Sequence, residues 1–245
     1  MQKICFFYKR EVPDFGADFL YLKLGRRERI DNSNDYNVIF EADLPINLSE
    51  YNEHLMDYSG LYALHMNKLI NEKHMLIIHY DTMILDKEWL KKIEKAVRKD
   101  SVVFCDRPVD RDITSEVSLW VYKNIDKAFL RFKGKSFLDC IKQNNVSNMV
   151  LTSQFACSAD TFSTLMEFML PLYGCLDELQ MIGFKFAHLL ERSLGLFFSA
   201  QGYVKVPVIR DSQSTKYRNG RRIKLDFPVL TRCIKDNASA FSEVL

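Results

Sequence analysis

The sequence predicts an α/β fold in which a mostly parallel central sheet is flanked by helices. Short β-rich apolar runs alternate with longer segments of helical periodicity along one continuous length, the order that βαβ units produce. One of those runs, Met75-Leu76-Ile77-Ile78, is apolar throughout rather than alternating, as a strand covered on both faces requires. The 245 residues are 47% apolar and 27% charged, enough for one sizeable core. With 9 Gly and 6 Pro there is no room for a low-complexity linker, so residues 1–245 are expected to form a single domain.

Residues 3–9, Lys-Ile-Cys-Phe-Phe-Tyr-Lys, read as a first buried strand and residues 19–24 as a short second one. The charged stretch 25–37, with its Asn-Ser-Asn-Asp, reads as an exposed loop leading into a strand at 36–40. Ser49 is placed to cap a long helix to about residue 70, since Leu55, Tyr58, Tyr62, Met66 and Leu69 recur at helical spacing. A strand at 75–80 follows. Asp86 then precedes a helix at 87–98 that turns Trp89, Leu90, Ile93 and Val97 inward, and a strand at 101–105 ends before Asp106. Residues 107–148 mix charge with short apolar clusters, and helices are expected near 115–132 and 136–144. A strand at 150–158, a helix capped by Asp160 and running to 173, a longer helix from 177 to about 200 and a strand at 203–209 complete the order. Residues 213–245 are expected to form a basic C-terminal loop and tail.

A net charge of +2 is too small for the broad basic field of a general nucleic-acid binder, so no nucleic-acid partner is expected. The six cysteines show no Cys-x-x-Cys spacing, which points away from a zinc site and from a disulfide framework. Cys5, Cys105 and Cys157 lie in strand-like runs and read as small buried hydrophobes. The N-terminal apolar run is too short and too soon charged for a signal peptide, and no segment reaches ~18 uninterrupted apolar residues. A cytoplasmic protein is expected.

The most informative stretch is Leu76-Ile77-Ile78-His79-Tyr80-Asp81. A buried parallel strand that ends on a carboxylate presents it at the carboxyl edge of a sheet, where α/β proteins hold their ligands. Asp81 there can grip a divalent ion or a ribose, and it can equally be a turn residue or a helix cap.

Three further blocks stand out in order along the chain. The first is Ile46-Asn47-Leu48-Ser49-Glu50-Tyr51-Asn52, continuing Asp57-Tyr58-Ser59-Gly60-Leu61-Tyr62 and closing at Asn67. The second is the strand ending His79-Tyr80-Asp81-Thr82, and the third is Leu190-Glu191-Arg192-Ser193-Leu194 before Phe197-Phe198. Together they resemble a bacterial family of exopolysaccharide and capsular-polysaccharide glycosyltransferases with the GT-A fold. Asp57 and Ser59 stand where the family has Glu and Thr, and Asp81-Thr82 stand where it has paired arginines. Against the Asp-x-Asp of GT-A enzymes, His79 replaces the first Asp. The resemblance implies a GT-A-like domain that moves a sugar from a nucleotide-sugar donor, UDP-linked, to a glycan or lipid-linked glycan acceptor. Lipopolysaccharide, capsule or another surface polysaccharide would be the product, with peripheral contact at the inner face of the membrane.

Such transfer needs a nucleotide pocket, positive charge on the leaving diphosphate and, for inversion, a base. Tyr8 and Lys9 end the first strand and are placed either to pack on the base or to finish the core. Asp57 and Ser59 either face the nucleotide or belong to an ordinary helix. Asp81 is the expected contact to Mn²⁺ or Mg²⁺, with His79 beside it on the same strand face. Asp177 and Glu178, in a first helical turn, are candidate bases or simple dipole partners. Lys216, Arg218, Arg221, Arg222 and Lys224 fall within nine residues, a density suited to a loop that closes over a diphosphate or meets anionic lipid. The competing expectations are a non-catalytic nucleotide- or sugar-binding module and a protein-interaction domain on the same scaffold.

Overall fold

A computed structural model of the chain describes residues 1–28, 30, 36–83, 88–105, 111–112, 148–174, 185–207, 209–210, 215–218 and 221–224, with single positions at 126, 130, 136 and 139. Seven strands form the central sheet: β1 (Gln2–Phe7), β2 (Phe19–Lys23), β3 (Asn37–Phe40), β4 (His74–His79), β6 (Val102–Cys105), β9 (Gln154–Ser158) and β10 (Val204–Pro207). Their spatial order is β10-β6-β9-β4-β1-β2-β3. β1 pairs parallel to β2 and β4, β2 to β3, and β10 to β6. Only β9 runs antiparallel, to β4 on one side and β6 on the other. Three small pairs lie outside the sheet: β5 (Thr82–Met83) with β11 (Ile209–Arg210), β7 (Arg111–Asp112) with β8 (Asn148–Met149), and β12 (Thr215–Arg218) with β13 (Arg221–Lys224).

The β1 run explains how the sheet is covered. Successive side chains point to opposite faces. Ile4 and Phe6 enter a core with Leu22, Leu61, Met75, Phe155, Leu165 and Phe198, under α2 (Asp57–Met66), α4 (Ala159–Tyr173) and α5 (Lys185–Gln201). Cys5 and Phe7 enter a second core with Tyr21, Leu76, Trp89, Ile93 and Phe104, under α3 (Trp89–Val97). Both faces of β1 and β4 are therefore dry, which is why their sequences are unbroken apolar runs. Burial pushes the Cys5 and Cys157 thiols up, so both are inert packing groups.

Several expectations change in detail. The helix expected from 49 to 70 is a 3₁₀ turn (Ser49–Tyr51), α1 (Asn52–Leu55) and α2, broken at Met56, whose φ is +51°. Ser49 makes no capping bond to that turn. α4 is capped by Ser158, whose hydroxyl accepts from the Thr161 amide at 3.0 Å, and Asp160 sits inside its first turn. Leu90 is half-buried rather than inward. Arg192 is buried in α5, donating to the His188 carbonyl at 3.0 Å and lying 3.6 Å from Glu191. Of the helices expected near 115–132 and 136–144 only the single positions 126, 130, 136 and 139 are described, and the Asp86 cap and the start of the helix at 177 lie outside the described residues.

Candidate functional site

Each parallel strand delivers its last residues to one rim of the sheet. Tyr8 follows β1, Lys23 closes β2 and His79 closes β4. β9 runs the other way, so Gln154 at its start, and Ser153 before it, meet them there. Gln154 fixes the end of β4: its Oε1 accepts from the His79 amide at 3.1 Å and from the Thr82 hydroxyl at 2.5 Å.

Asp57 enters from above as the first residue of α2. One of its oxygens accepts from the Tyr8 hydroxyl at 2.5 Å and lies 3.1 Å from His79 Nε2. The other accepts from the Ser153 hydroxyl at 2.5 Å. The opposite nitrogen of the ring, Nδ1, is 2.6 Å from an Asp81 oxygen. Each imidazole nitrogen thus faces a carboxylate, a setting that favours the doubly protonated ring. Burial alone would lower the His79 pKa, but the charges and hydrogen bonds of Asp57 and Asp81 outweigh it and lift the pKa to about 9. For Asp57 burial pushes upward, and the His79 charge with bonds from His79, Ser153 and Tyr8 holds it below the usual carboxylate range. Burial, then Asp57, raises the Tyr8 phenol, which stays a donor. The Tyr80 ring lies 4.3 Å from His79, and Lys9 Nζ stands 4.6 Å from that same ring.

Beside the network lies a cleft of about 220 Å³, lined by Tyr8, Lys23, Gly25, Arg26, Ser49 and Asn52 among others. Lys23 is buried, donating to the Tyr8 carbonyl at 2.5 Å, with Glu28 at 3.7 Å. Gly25 has φ +79°, and a Cβ there would stand 3.3 Å from the Asn52 side-chain oxygen, so the wall needs glycine. Behind it Glu41 is fully buried, accepting from the Gly25 amide at 2.8 Å and from the Ser59 hydroxyl at 3.0 Å. A larger groove of about 670 Å³, with Lys73, Arg98 and Lys99 on its wall, opens at the opposite edge of the sheet, far from these groups.

Of the residues singled out in the sequence, Tyr8, Asp57, His79 and Asp81 come together, and Lys9 joins them through Tyr80. Ser59 does not. It is fully buried, accepts from Asn52 Nδ2 at 2.8 Å and donates to Glu41, so it braces the cleft wall and cannot touch a ligand. Asp177 and Glu178 lie outside the described residues. Lys216, Arg218, Arg221 and Arg222 belong to the β12–β13 hairpin, not to a loop. That hairpin follows β11, which pairs antiparallel with β5 so that Arg210 stands opposite Thr82, the residue after Asp81. Sequence reasoning missed Ser153, Gln154, Lys23, Glu41 and Asn52. The signal for two of them was a Ser-Gln pair opening an apolar strand, and for Lys23 a cation closing the run Phe-Leu-Tyr-Leu.

Asp81, the expected metal contact, has a carboxylate oxygen 2.6 Å from His79 Nδ1. Among the described residues no group of three or more His, Cys, Asp or Glu is arranged to hold a metal.

No protein-family model and no curated protein matches the sequence. The fold is similar to that of the bifunctional glycosyltransferase WbbM in its apo structure, with a TM-score of 0.61 and 14% identity. The match covers 85% of this chain and 44% of that one, so the chain spans less than half the length of the protein it resembles. A seven-stranded, mostly parallel sheet with one reversed strand, flanked by helices and matching a glycosyltransferase in three dimensions, is a GT-A-like fold.

Proposed function

We propose that the chain is a glycosyltransferase domain that takes a sugar from a UDP-linked donor and passes it to a glycan or lipid-linked glycan of the cell surface. One observation supports this most. The Tyr8–Asp57–His79–Asp81 network stands beside a cleft at the carboxyl rim of a GT-A-like sheet, where a ligand of such a sheet is held.

In the proposed reaction an acceptor hydroxyl attacks the anomeric carbon and the bond from that carbon to the diphosphate oxygen breaks. The hydroxyl proton passes to a carboxylate, for which Asp177 and Glu178 are the candidates, and a single displacement inverts the configuration. Negative charge gathers on the departing diphosphate, and cations fixed beforehand at the rim stabilise it there. No described helix is long and apolar enough to cross a membrane. A lipid-linked acceptor would bring the domain to the inner membrane face as a peripheral protein.

The test is nucleotide release from a panel of nucleotide sugars, with and without surface-glycan acceptors. One donor should be turned over, and Asp177→Asn or Glu178→Gln should slow it by about a hundredfold or more if that residue is the base. No turnover of any donor would contradict the enzymatic reading, and UDP binding without turnover would identify a non-catalytic nucleotide-binding module.

A further inference from the structure

We infer that the solvent face of α3 is a docking surface for the anionic lipid headgroups of a membrane, held there by charge alone. The inference rests on the peripheral-membrane part of the reading above and names the face that makes the contact.

α3 buries Trp89, Ile93 and Val97 in the second core. At about 100° per residue those three define one side of the helix, and the opposite side is left to water. From Lys91 to Lys99 the exposed positions are Lys91, Lys92, Lys95, Arg98 and Lys99, all of them cations. The acidic residues lie off this stripe or at its ends. Glu94 is half-buried and 3.6 Å from Arg98. Glu88 precedes the helix, 3.0 Å from Lys91, and Asp100 follows it, accepting from the Ser101 amide at 2.7 Å. A face kept merely soluble intersperses both signs, and this one does not.

The fold lays the stripe along one flank. α3 follows β5, whose Thr82 is fixed at the rim by Gln154, and ends ahead of β6, so it runs from the carboxyl edge of the sheet to the opposite edge. There it meets the groove of about 670 Å³, whose wall takes Arg98 and Lys99 from the helix end and adds Lys73, the residue before β4. A bilayer against this flank stands beside the rim and not across it. The cleft stays open to a donor while a lipid-linked acceptor is at hand.

The chemistry of the face selects its occupant. Protein interfaces are depleted in lysine and anchored by aromatic side chains, and α3 exposes no large apolar residue. A nucleic acid needs a broad basic field, whereas the whole chain carries a net charge of only +2. A cluster of roughly four to eight Lys and Arg on one helix suits the negative potential of an anionic leaflet. With Trp89, Ile93 and Val97 committed to the core, nothing apolar on this helix inserts, and the attraction is screened by salt.

Cosedimentation of the full chain with vesicles tests this, using phosphatidylcholine alone and phosphatidylcholine with about 30% phosphatidylglycerol. The chain should bind the second and not the first, and high salt should weaken binding by about tenfold or more. Lys95→Gln/Lys99→Gln should weaken it by roughly tenfold, whereas Arg27→Gln/Lys68→Gln, which takes the same charge from beyond β2 and α2, should bind as wild type. Equal binding to both vesicles, binding to neither, or unchanged binding in the α3 variant would overturn the inference. So would capture by heparin without vesicle binding, which would assign the face to a soluble polyanion. Nucleotide release in vesicle-free buffer, which the α3 variant should leave unchanged, reports the donor chemistry separately. Release that persists while the vesicles fail sinks the docking face alone; docking without release sinks the enzymatic reading alone.

Discussion

His79 is enclosed by Asp57 from α2, Asp81 and Tyr80 from its own strand end, and Tyr8 from β1. Its folded pKa of about 9 stands above the ordinary value of 6.5. A raised cation stabilises fully below the unfolded pKa and loses that contribution as pH climbs through the folded one. Asp57, held low, behaves oppositely: its share is present above the ordinary carboxylate pKa and is lost in acid. Unfolding free energy should therefore fall by something on the order of 3 kcal/mol between pH 6.5 and 9, and His79→Gln should lack that decline. Urea titrations across this window check it, and a flat wild-type profile would remove the imidazolium. Tyr8, His79 and Asp81 were legible one by one, because each ends an apolar run, whereas Asp57 was read as lying within a longer helix. Their contacts were not. Asp57 precedes His79 by a helix and a turn, and only the fold decides that one carboxylate serves Tyr8, Ser153 and His79 together.

At the scale of elements, the α1–α2 break shows where periodicity stops informing. Leu55 and Tyr58 are buried on either side of Met56, so the apolar spacing runs on while the backbone turns. No Gly or Pro marks the spot. The Met56 carbonyl accepts from Asn52 Nδ2 at 3.0 Å and from the Ser59 amide at 3.3 Å, which pins the kink and sends Asp57 to the rim. Gly60, one turn later, lets α2 settle on the sheet: a Cβ would stand 2.7 Å from Leu24 and 3.0 Å from Phe6. Gly60→Ala should lower stability by about 1–3 kcal/mol through overpacking despite its better helix propensity, as denaturant midpoints would show. Stability equal to wild type would mean that the contact yields freely. The basic hairpin was readable in principle, since Asn219-Gly220 between two strand-like runs is a two-residue turn signal. The charge density drew the reading toward a loop instead.

For the whole molecule, the order of runs was enough to name an α/β sheet, because unbroken apolar strands interleaved with helices have few other solutions. The reversal of β9 was not legible, since a short apolar run carries no mark of direction. That reversal matters: it brings Ser153 and Gln154, from the start of a strand, to the edge where the other strands finish. The central claim is that this edge, and not the larger groove at the far side, receives a nucleotide diphosphate. A crystal structure of the chain with UDP tests it most directly. The diphosphate should lie against His79 with the nucleoside in the cleft beside Tyr8 and Lys23. Density instead among Lys73, Arg98 and Lys99, with the His79 rim unchanged, would contradict the account.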